Sequence, residues 1–527
     1  MPGSAAARNT QAQPGKLVLC VIDAMAPAML ERTVAAGDAP TLAALMERGL
    51  YVPDCVAAFP SVTPVCAASI VTGVGQERHQ IPGMSWYHRA EQRYVEYGSS
   101  FRASQRVGLA RQLTDTVYNM NGAHLSKQTP TVFETLDDAG ARTAGTTYLM
   151  YRGRHLHEPQ RDTALTRIAS TLLRHPVMGP RELFYADIFA SRQTGCRSNL
   201  GMPGVRDRHS GCVGAYLVEH NLFDFLLLSL PDNDWHSHRS GPEGQVRSIA
   251  LADLQLARVM DAAGGVDEFL EQHAVIVMAD HSQAPVAAGT PLAAELAELG
   301  VLAPGARANG RSRRAAPAGG NGRREQSRIA VCPSQRAAMV YVLEADQPDG
   351  VRSQVVHRAL EIEGVELVMW LESDSHGAAV EGVIASPGRG EVRFCPDGDI
   401  EDLRGRAWSV EGDLEVLHAQ VREGRLSTPD HPDALSRVWS ALTCSTSGDV
   451  LLSAGPGSEF ADLGGQAHAG GGSHGSLRGE DSLGALILCG VEGVPGSVSA
   501  KAPLESEQWA IRDVAALISR HFGLEPG

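Results

Sequence analysis

Three short apolar runs in this chain each end in side chains that can bind a cation. Residues 17–22 (LVLCVI) stop at Asp23, residues 223–230 (FDFLLLSL) at Pro231-Asp-Asn-Asp-Trp-His-Ser-His238, and residues 273–279 (HAVIVMA) at Asp280-His281. A single aspartate after a strand is commonly a turn or cap residue, and one Asp-His pair says little. Asp232, Asp234, His236 and His238 crowded directly behind one apolar strand are harder to explain as turns. Carboxylates and imidazoles gathered at one sheet edge repel or stay unsatisfied unless a cation joins them. A mixed oxygen and nitrogen set suits zinc, manganese or iron.

A hydroxyl stands at another point of interest. Thr63-Pro64 precedes VCAASIVTG, and this pair makes a helix N-terminus. Thr63 is then either a cap or a nucleophile. Helix N-termini favour a developing anion, and beside dications a hydroxyl can ionise near neutral pH. Cys66, one turn into that helix, reads as a small packed residue or as a thiol of lowered pKa. Arg152-Gly-Arg154, taken alone, reads as a solvated turn.

The elements that must position these residues are legible in outline. The continuous apolar runs read as strands buried on both faces. Helical stretches lie between them: Pro40 opens PTLAALMERG, residues 131–139 end before Gly140, and residues 248–262 are helically periodic. A strand is expected at 142–149, further strands at 340–343 and 366–370, and a late one at 483–489. Alternating strands and helices predict an α/β fold, a doubly wound, mostly parallel sheet with helices on both faces. In such sheets ligands bind outside the carboxyl ends of the strands, where the three polar clusters fall. Residues 464–475 form a glycine-rich loop with His468 and His474. Residues 303–328, rich in Gly, Ala, Pro and Arg, read as a flexible surface loop, and residues 1–15 as a disordered tail.

Composition bounds the rest. The chain has 527 residues, a formal charge of −15, 43% hydrophobic and 20% charged residues. These are values of a globular protein, and the acidic balance argues against nucleic acid as a partner. No apolar run is long enough for a membrane helix, and the first residues lack the apolar segment of a signal peptide. Nine scattered cysteines without regular spacing predict no disulfide framework. A reducing cytoplasm is the expected location.

With these residues in place the sequence resembles the alkaline phosphatase superfamily, and within it the type I phosphodiesterase/nucleotide pyrophosphatase family. The resemblance runs through residues 17–108, 223–242, 273–281 and 474–489. It implies an alkaline-phosphatase-like catalytic domain over 16–527, with a cap insertion at about 84–220 and a second insertion between Asp280-His281 and His474. It also implies two divalent metal ions, most naturally zinc. Asp23, Thr63, Asp280 and His281 would hold one. The other would take a DxxxH pair and a late histidine. Both Asp232/His236 and Asp234/His238 fit that pattern. Gly241-Pro242 falls at the family's distance only behind His238, which favours Asp234 and His238. His474, followed by glycine, matches the late histidine better than His468, and His79 falls at a family turn after the helix.

The implied reaction is hydrolysis of a phosphodiester or pyrophosphate bond through a phosphothreonine on Thr63. Two departures bear on the substrate. Met84 stands where many relatives have an asparagine that donates to phosphate, and Cys66 replaces another asparagine. Ser85 or an arginine would have to substitute. A phosphonate is then the alternative substrate, because phosphonoacetate hydrolases of the superfamily have a Lys-x-Lys where Arg152 and Arg154 stand. A phosphomonoester, or a metal-binding protein without turnover, are the further alternatives. The partner in each catalytic reading is a small phosphorylated or phosphonate molecule, and the oligomeric state is left open.

Overall fold

The computed structural model describes residues 15–161, 172–305, 327–373, 379–492 and 508–525. Its centre is an eight-stranded sheet in the order Leu50–Val56, Leu483–Cys489, His273–Met278, Lys16–Ile22, Phe225–Leu230, Thr143–Thr146, Glu182–Tyr185, Phe189–Ala190. The three apolar runs of the sequence lie side by side in the middle. Lys16–Ile22 pairs in parallel with Phe225–Leu230 on one side and His273–Met278 on the other. Phe225–Leu230 and His273–Met278 are buried at every position. This is why they read as unbroken hydrophobic stretches rather than as alternating ones. Leu483–Cys489 enters antiparallel, as does the edge strand Phe189–Ala190.

Helices cover both faces. Val18, Cys20 and Ile22 pack against Pro27–Ala35, Pro40–Arg48, Arg206–Glu219 and Gln245–Asp261. Leu17, Leu19 and Val21 face Thr63–Thr72, Val132–Asp138 and Asp513–His521. Helix Val132–Asp138 starts as its sequence predicts, with Thr131 and Glu134 forming a reciprocal capping box.

A second, nine-stranded sheet occupies most of the chain between His281 and His474, where the sequence gives away only two strands. Its order is Ile329–Ser334, Ala337–Val342, Val450–Ala454, Val365–Ser373, Ala379–Ser386, Gly390–Glu401, Arg425–Ser427, Gln420–Arg422, with Ala407–Gly412 also on Gly390–Glu401. One face, with Met339, Tyr341, Leu367 and Met369, joins the core beneath Thr63–Thr72. The other packs on helix Pro348–Ala359.

Within residues 84–220, where a cap insertion is expected, part of the chain builds the central sheet. Thr143–Thr146, Glu182–Tyr185 and Phe189–Ala190 are strands of the central sheet, and Arg206–Glu219 packs beneath it. The tail at 1–14 and most of the expected loop at 303–328 lie outside the described residues. Cys196 and Cys212 form a disulfide, which the irregular cysteine spacing does not announce; the other seven cysteines are free. Among the described residues no helix is long and apolar enough to cross a membrane.

Candidate metal centre and active site

The carboxyl edge of the central sheet gathers six potential ligands. Asp23 follows strand Lys16–Ile22, and Asp280 and His281 follow His273–Met278. His281 Nε2 lies 3.6 Å from Asp23 Oδ1 and 3.5 Å from Asp280 Oδ2. Asp234 and His238 sit one turn apart on helix Asp232–Ser240, and Asp234 Oδ1 is 3.3 Å from His238 Nε2 and 3.4 Å from His474 Nε2. His281 and His474 stack with centroids 3.7 Å apart, so the two groups adjoin.

Each imidazole is fixed by its other nitrogen. Nδ1 of His281 lies 3.0 Å from the Ser282 carbonyl, that of His238 2.8 Å from Gly472, and that of His474 2.7 Å from Ser61. These contacts set the tautomer in which Nδ1–H donates and the Nε2 lone pair faces the carboxylates, the arrangement of metal-binding histidines. Asp23 Oδ1, Asp280 Oδ2 and His474 Nε2 are buried without a hydrogen-bond partner. Unsatisfied buried acceptors facing one another are costly unless a cation joins them. The donor set therefore fits two divalent ions: Asp23, Asp280 and His281 converge as one group and Asp234, His281 and His474 as the other, with His238, 3.3 Å from Asp234, placed to serve the second ion.

Electrostatics agree with that reading. Burial, then the Asp280 and Asp234 carboxylates, push Asp23 well above the usual carboxylate range. Burial works against charge on Asp234 as well, but His238 and His474 outweigh it and hold Asp234 well below that range. Burial lowers His281, with Asp280 opposing. A dication bound beside Asp23 would hold it ionised.

Thr63 is the first residue of helix Thr63–Thr72. Val62 occupies the cap position, and no side chain caps the helix. The Thr63 hydroxyl instead lies 3.2 Å from His281 Nε2, beside the first ligand group. The helix behind it is buried from Pro64 to Val71, so the hydroxyl is held on a rigid element. Burial pushes the Cys66 thiol well above its ordinary value, which makes it a packed residue and not a reactive one.

The two registers of the DxxxH pair separate clearly. Asp232 turns away from the cluster: it accepts from the backbone N–H groups of Gly204 and Asp207 and from Arg206 Nε. His236 packs edge-on against Trp235. His468 pairs with Glu459 and stacks behind His238. His79 is fully buried, 3.2 Å from the Ser69 hydroxyl.

Three expected substrate contacts are not brought to the cluster. Arg152 is buried and spends its guanidinium on Glu134 and on the carbonyls of Leu125, Ser126 and Thr129. Arg154 pairs with Glu134 and Asp138. Both border a cavity of about 680 Å³ that none of the six ligands lines. Ser85 is buried, with its hydroxyl on the Pro333 carbonyl, and the amides of Met84 and Ser85 both donate to Ser334 Oγ.

Sequence reasoning missed several supporting residues. Gln283 donates to Asp234 Oδ1 at 2.6 Å, and Gln335 Nε2 is 3.4 Å from His238 Nε2. Asn233 donates to the Asp23 carbonyl. Gln283 and Asn233 adjoin ligands in sequence and could have been suspected. Gln335 arrives from the second sheet, and nothing local marks it.

A sheet of this order, with its polar cluster at this edge, places the molecule among the alkaline-phosphatase-like, metal-dependent hydrolases of phosphoric esters. More narrowly, the chain belongs to the type I phosphodiesterase / nucleotide pyrophosphatase family, whose model matches residues 17–365. Among solved structures it is similar to phosphonoacetate hydrolase from Sinorhizobium meliloti 1021 in complex with phosphonoformate (TM-score 0.53, 16% identity, 97% of this chain and 96% of that chain covered). It is equally similar in fold to murine ectonucleotide pyrophosphatase / phosphodiesterase 5 (TM-score 0.53, 11% identity, 97% and 96% covered). An inactive threonine-to-alanine variant of the murine protein, in complex with AMP, matches to the same extent. No curated protein matches the sequence.

Proposed function

We propose that this protein hydrolyses phosphodiester or pyrophosphate bonds of small phosphorylated molecules through a covalent phosphothreonine on Thr63. The observation that carries the proposal is the Thr63 hydroxyl at a helix N-terminus, 3.2 Å from His281 Nε2, beside two adjoining ligand groups. Asp23, Asp280 and His281 would hold one divalent ion and Asp234, His238 and His474 the other; the mixed donor set suits zinc. When bound, such ions supply positive charge that favours an ionised hydroxyl and offsets charge on the phosphoryl oxygens.

The chain's own residues do the remainder. Helix Thr63–Thr72 fixes the direction of attack and favours negative charge at its first residue. Thr63 Oγ1 bonds to phosphorus as the bond to the leaving oxygen breaks, and that oxygen departs with the proton. Water then attacks the phosphothreonine, the Thr63–phosphorus bond breaks, and the threonine recovers its hydroxyl. The backbone carbonyls of Ser282, Gly472 and Ser61 hold the three imidazoles in register throughout.

The phosphonoacetate hydrolase of similar fold keeps a phosphonate in view as the alternative substrate. A carboxylated phosphonate would need a cation to grip it, however, and Arg152 and Arg154 are committed to Glu134 and Asp138. The diester is therefore placed first.

The test compares p-nitrophenol release from bis-p-nitrophenyl phosphate and p-nitrophenyl phosphate with added zinc or manganese. The diester should be cleaved faster. Thr63→Ala should lose at least about a thousandfold in kcat while binding metal as the wild type does. Undiminished turnover in Thr63→Ala would remove Thr63 from the chemistry. Full metal occupancy with no hydrolysis of diesters, monoesters or phosphonates would point to a binding protein instead.

A further inference from the structure

Past strand Thr143–Thr146 the chain does something unusual. Ala144 packs on the sheet face away from Thr63, and Gly145 faces Phe133 on the Thr63 side. Regular alternation would return Tyr148 to the far side. Thr147 breaks the alternation: its φ is 53°, a left-handed conformation that a β-branched residue adopts only under constraint. As a result Tyr148 joins the core that holds Val65 and Cys66 of the Thr63 helix. Strain of this kind is retained where the surroundings enforce it, most often at functional sites.

The position is informative. Thr146 pairs with Leu228, and Leu228 with Cys20. Tyr148 follows two residues on, past the end of the paired register, at the carboxyl edge of the sheet from which Asp23 also projects. Its side chain is 5% exposed, and its hydroxyl has no hydrogen-bond partner. A buried hydroxyl without a partner costs stability, so its retention asks for a ligand. Met84, Ser85 and Arg152 cannot serve that ligand, because their donors are spent within the protein. Burial, then Asp280 and Asp23, hold the Tyr148 hydroxyl well above its ordinary value, so it stays a donor at working pH.

We infer that Tyr148 donates a hydrogen bond to a non-bridging oxygen of the phosphoryl group attacked by Thr63, and that the left-handed turn at Thr147 exists to aim it. The inference rests on the phosphoryl-transfer reading of the site. Donors aimed where charge develops are the usual protein contribution to such reactions.

The test measures orthophosphate binding by calorimetry on the zinc-loaded protein, together with zinc content and melting temperature, for wild type and Tyr148→Phe. Tyr148→Phe should keep its zinc and melt at or above the wild-type temperature, because it removes a hydroxyl that bonds to nothing in the fold. Its orthophosphate affinity should fall about ten- to a hundredfold. Equal affinity in the two proteins overturns the inference, and so does a Tyr148→Phe protein that melts well below wild type or fails to fold. Weaker phosphate binding in Tyr148→Phe alongside a wild type that hydrolyses nothing would sustain the Tyr148 contact and sink the proposed reaction. A wild type that binds no orthophosphate would sink the contact itself.

Discussion

Asp232 and Asp234 stand two residues apart, and a helix turns about 200° in two residues. They must therefore face opposite ways, and only one can look into the cluster. The sequence shows that one register ligates without showing which, because both have a histidine four residues on. The structure brings Asp234 to His238 and His474 and sends Asp232 to hold the Gly204–Asp207 segment. The two aspartates should then fail differently. Asp234→Asn should lose one of two bound zinc ions with little change in the metal-free melting curve. Asp232→Ala should keep both ions and lose about 2–4 kcal/mol, since buried N–H donors are left unmet. Zinc counting and urea unfolding separate the cases, and the opposite pattern would restore the other register. The arginines show the complementary limit. Arg152 and Arg154 have the right chemistry for an anion, but which partner an arginine chooses is decided by neighbours, here Glu134 and Asp138, that spacing does not reveal.

Central strands announce themselves because helices cover both of their faces, and so do the residues at their ends; Asp23 and Asp280-His281 were visible for that reason. The second sheet is far less visible. Ile329–Ser334 and Val450–Ala454 are as buried as the central strands, but proline, serine and alanine dilute their apolar runs, and the sheet's most consequential part is a two-residue turn. Gln335 and Arg336 join Ile329–Ser334 to Ala337–Val342. From there Gln335 reaches His238, and the Arg336 amide donates to the His474 carbonyl. The Arg336 side chain is fully buried, bonded to the Ser458 and Gly455 carbonyls, with Asp481 3.3 Å away. Removing one member of a buried pair strands the other charge. Arg336→Met should cost about 3–5 kcal/mol in urea unfolding and, by loosening the loop that carries His474, weaken zinc binding at the Asp234 group more than at the Asp23 group. Unchanged stability would show that the turn does not anchor that loop.

Over the whole molecule, buried histidines make the fold sensitive to acid. Burial lowers His79 from its ordinary 6.5 to about 3, and His124 and His273 to about 4. For a histidine lowered on folding, the unfolded chain takes up the proton first as pH falls. The stability it contributes is therefore complete above pH 6.5 and is lost as pH drops toward the folded value. Each such group removes up to about 1.4 kcal/mol per pH unit within its window. Burial moves several carboxyls the other way, among them Glu96, which rises to about 7, and Asp207, to about 8. These favour the folded state at low pH, so the net curve is mixed and single-site differences are the useful readout. Between pH 6.5 and 4, His79→Gln should lose stability less steeply than wild type, by about one proton's slope. Parallel curves would mean that His79 is already charged in the folded protein.

Leu483–Cys489 lies between Leu50–Val56 and His273–Met278, and this order has a consequence for synthesis. Leu50–Val56 leaves the ribosome long before Leu483–Cys489, its neighbour in the sheet. Until that strand inserts, His273–Met278 has an open edge and Leu50–Val56 has no place in the sheet. Open edges of this kind invite pairing with other chains. A chain stopped short of Leu483 would keep the Thr63 helix and all six candidate ligands. What it would lack is closure, and it should be a client of chaperones rather than a slower enzyme.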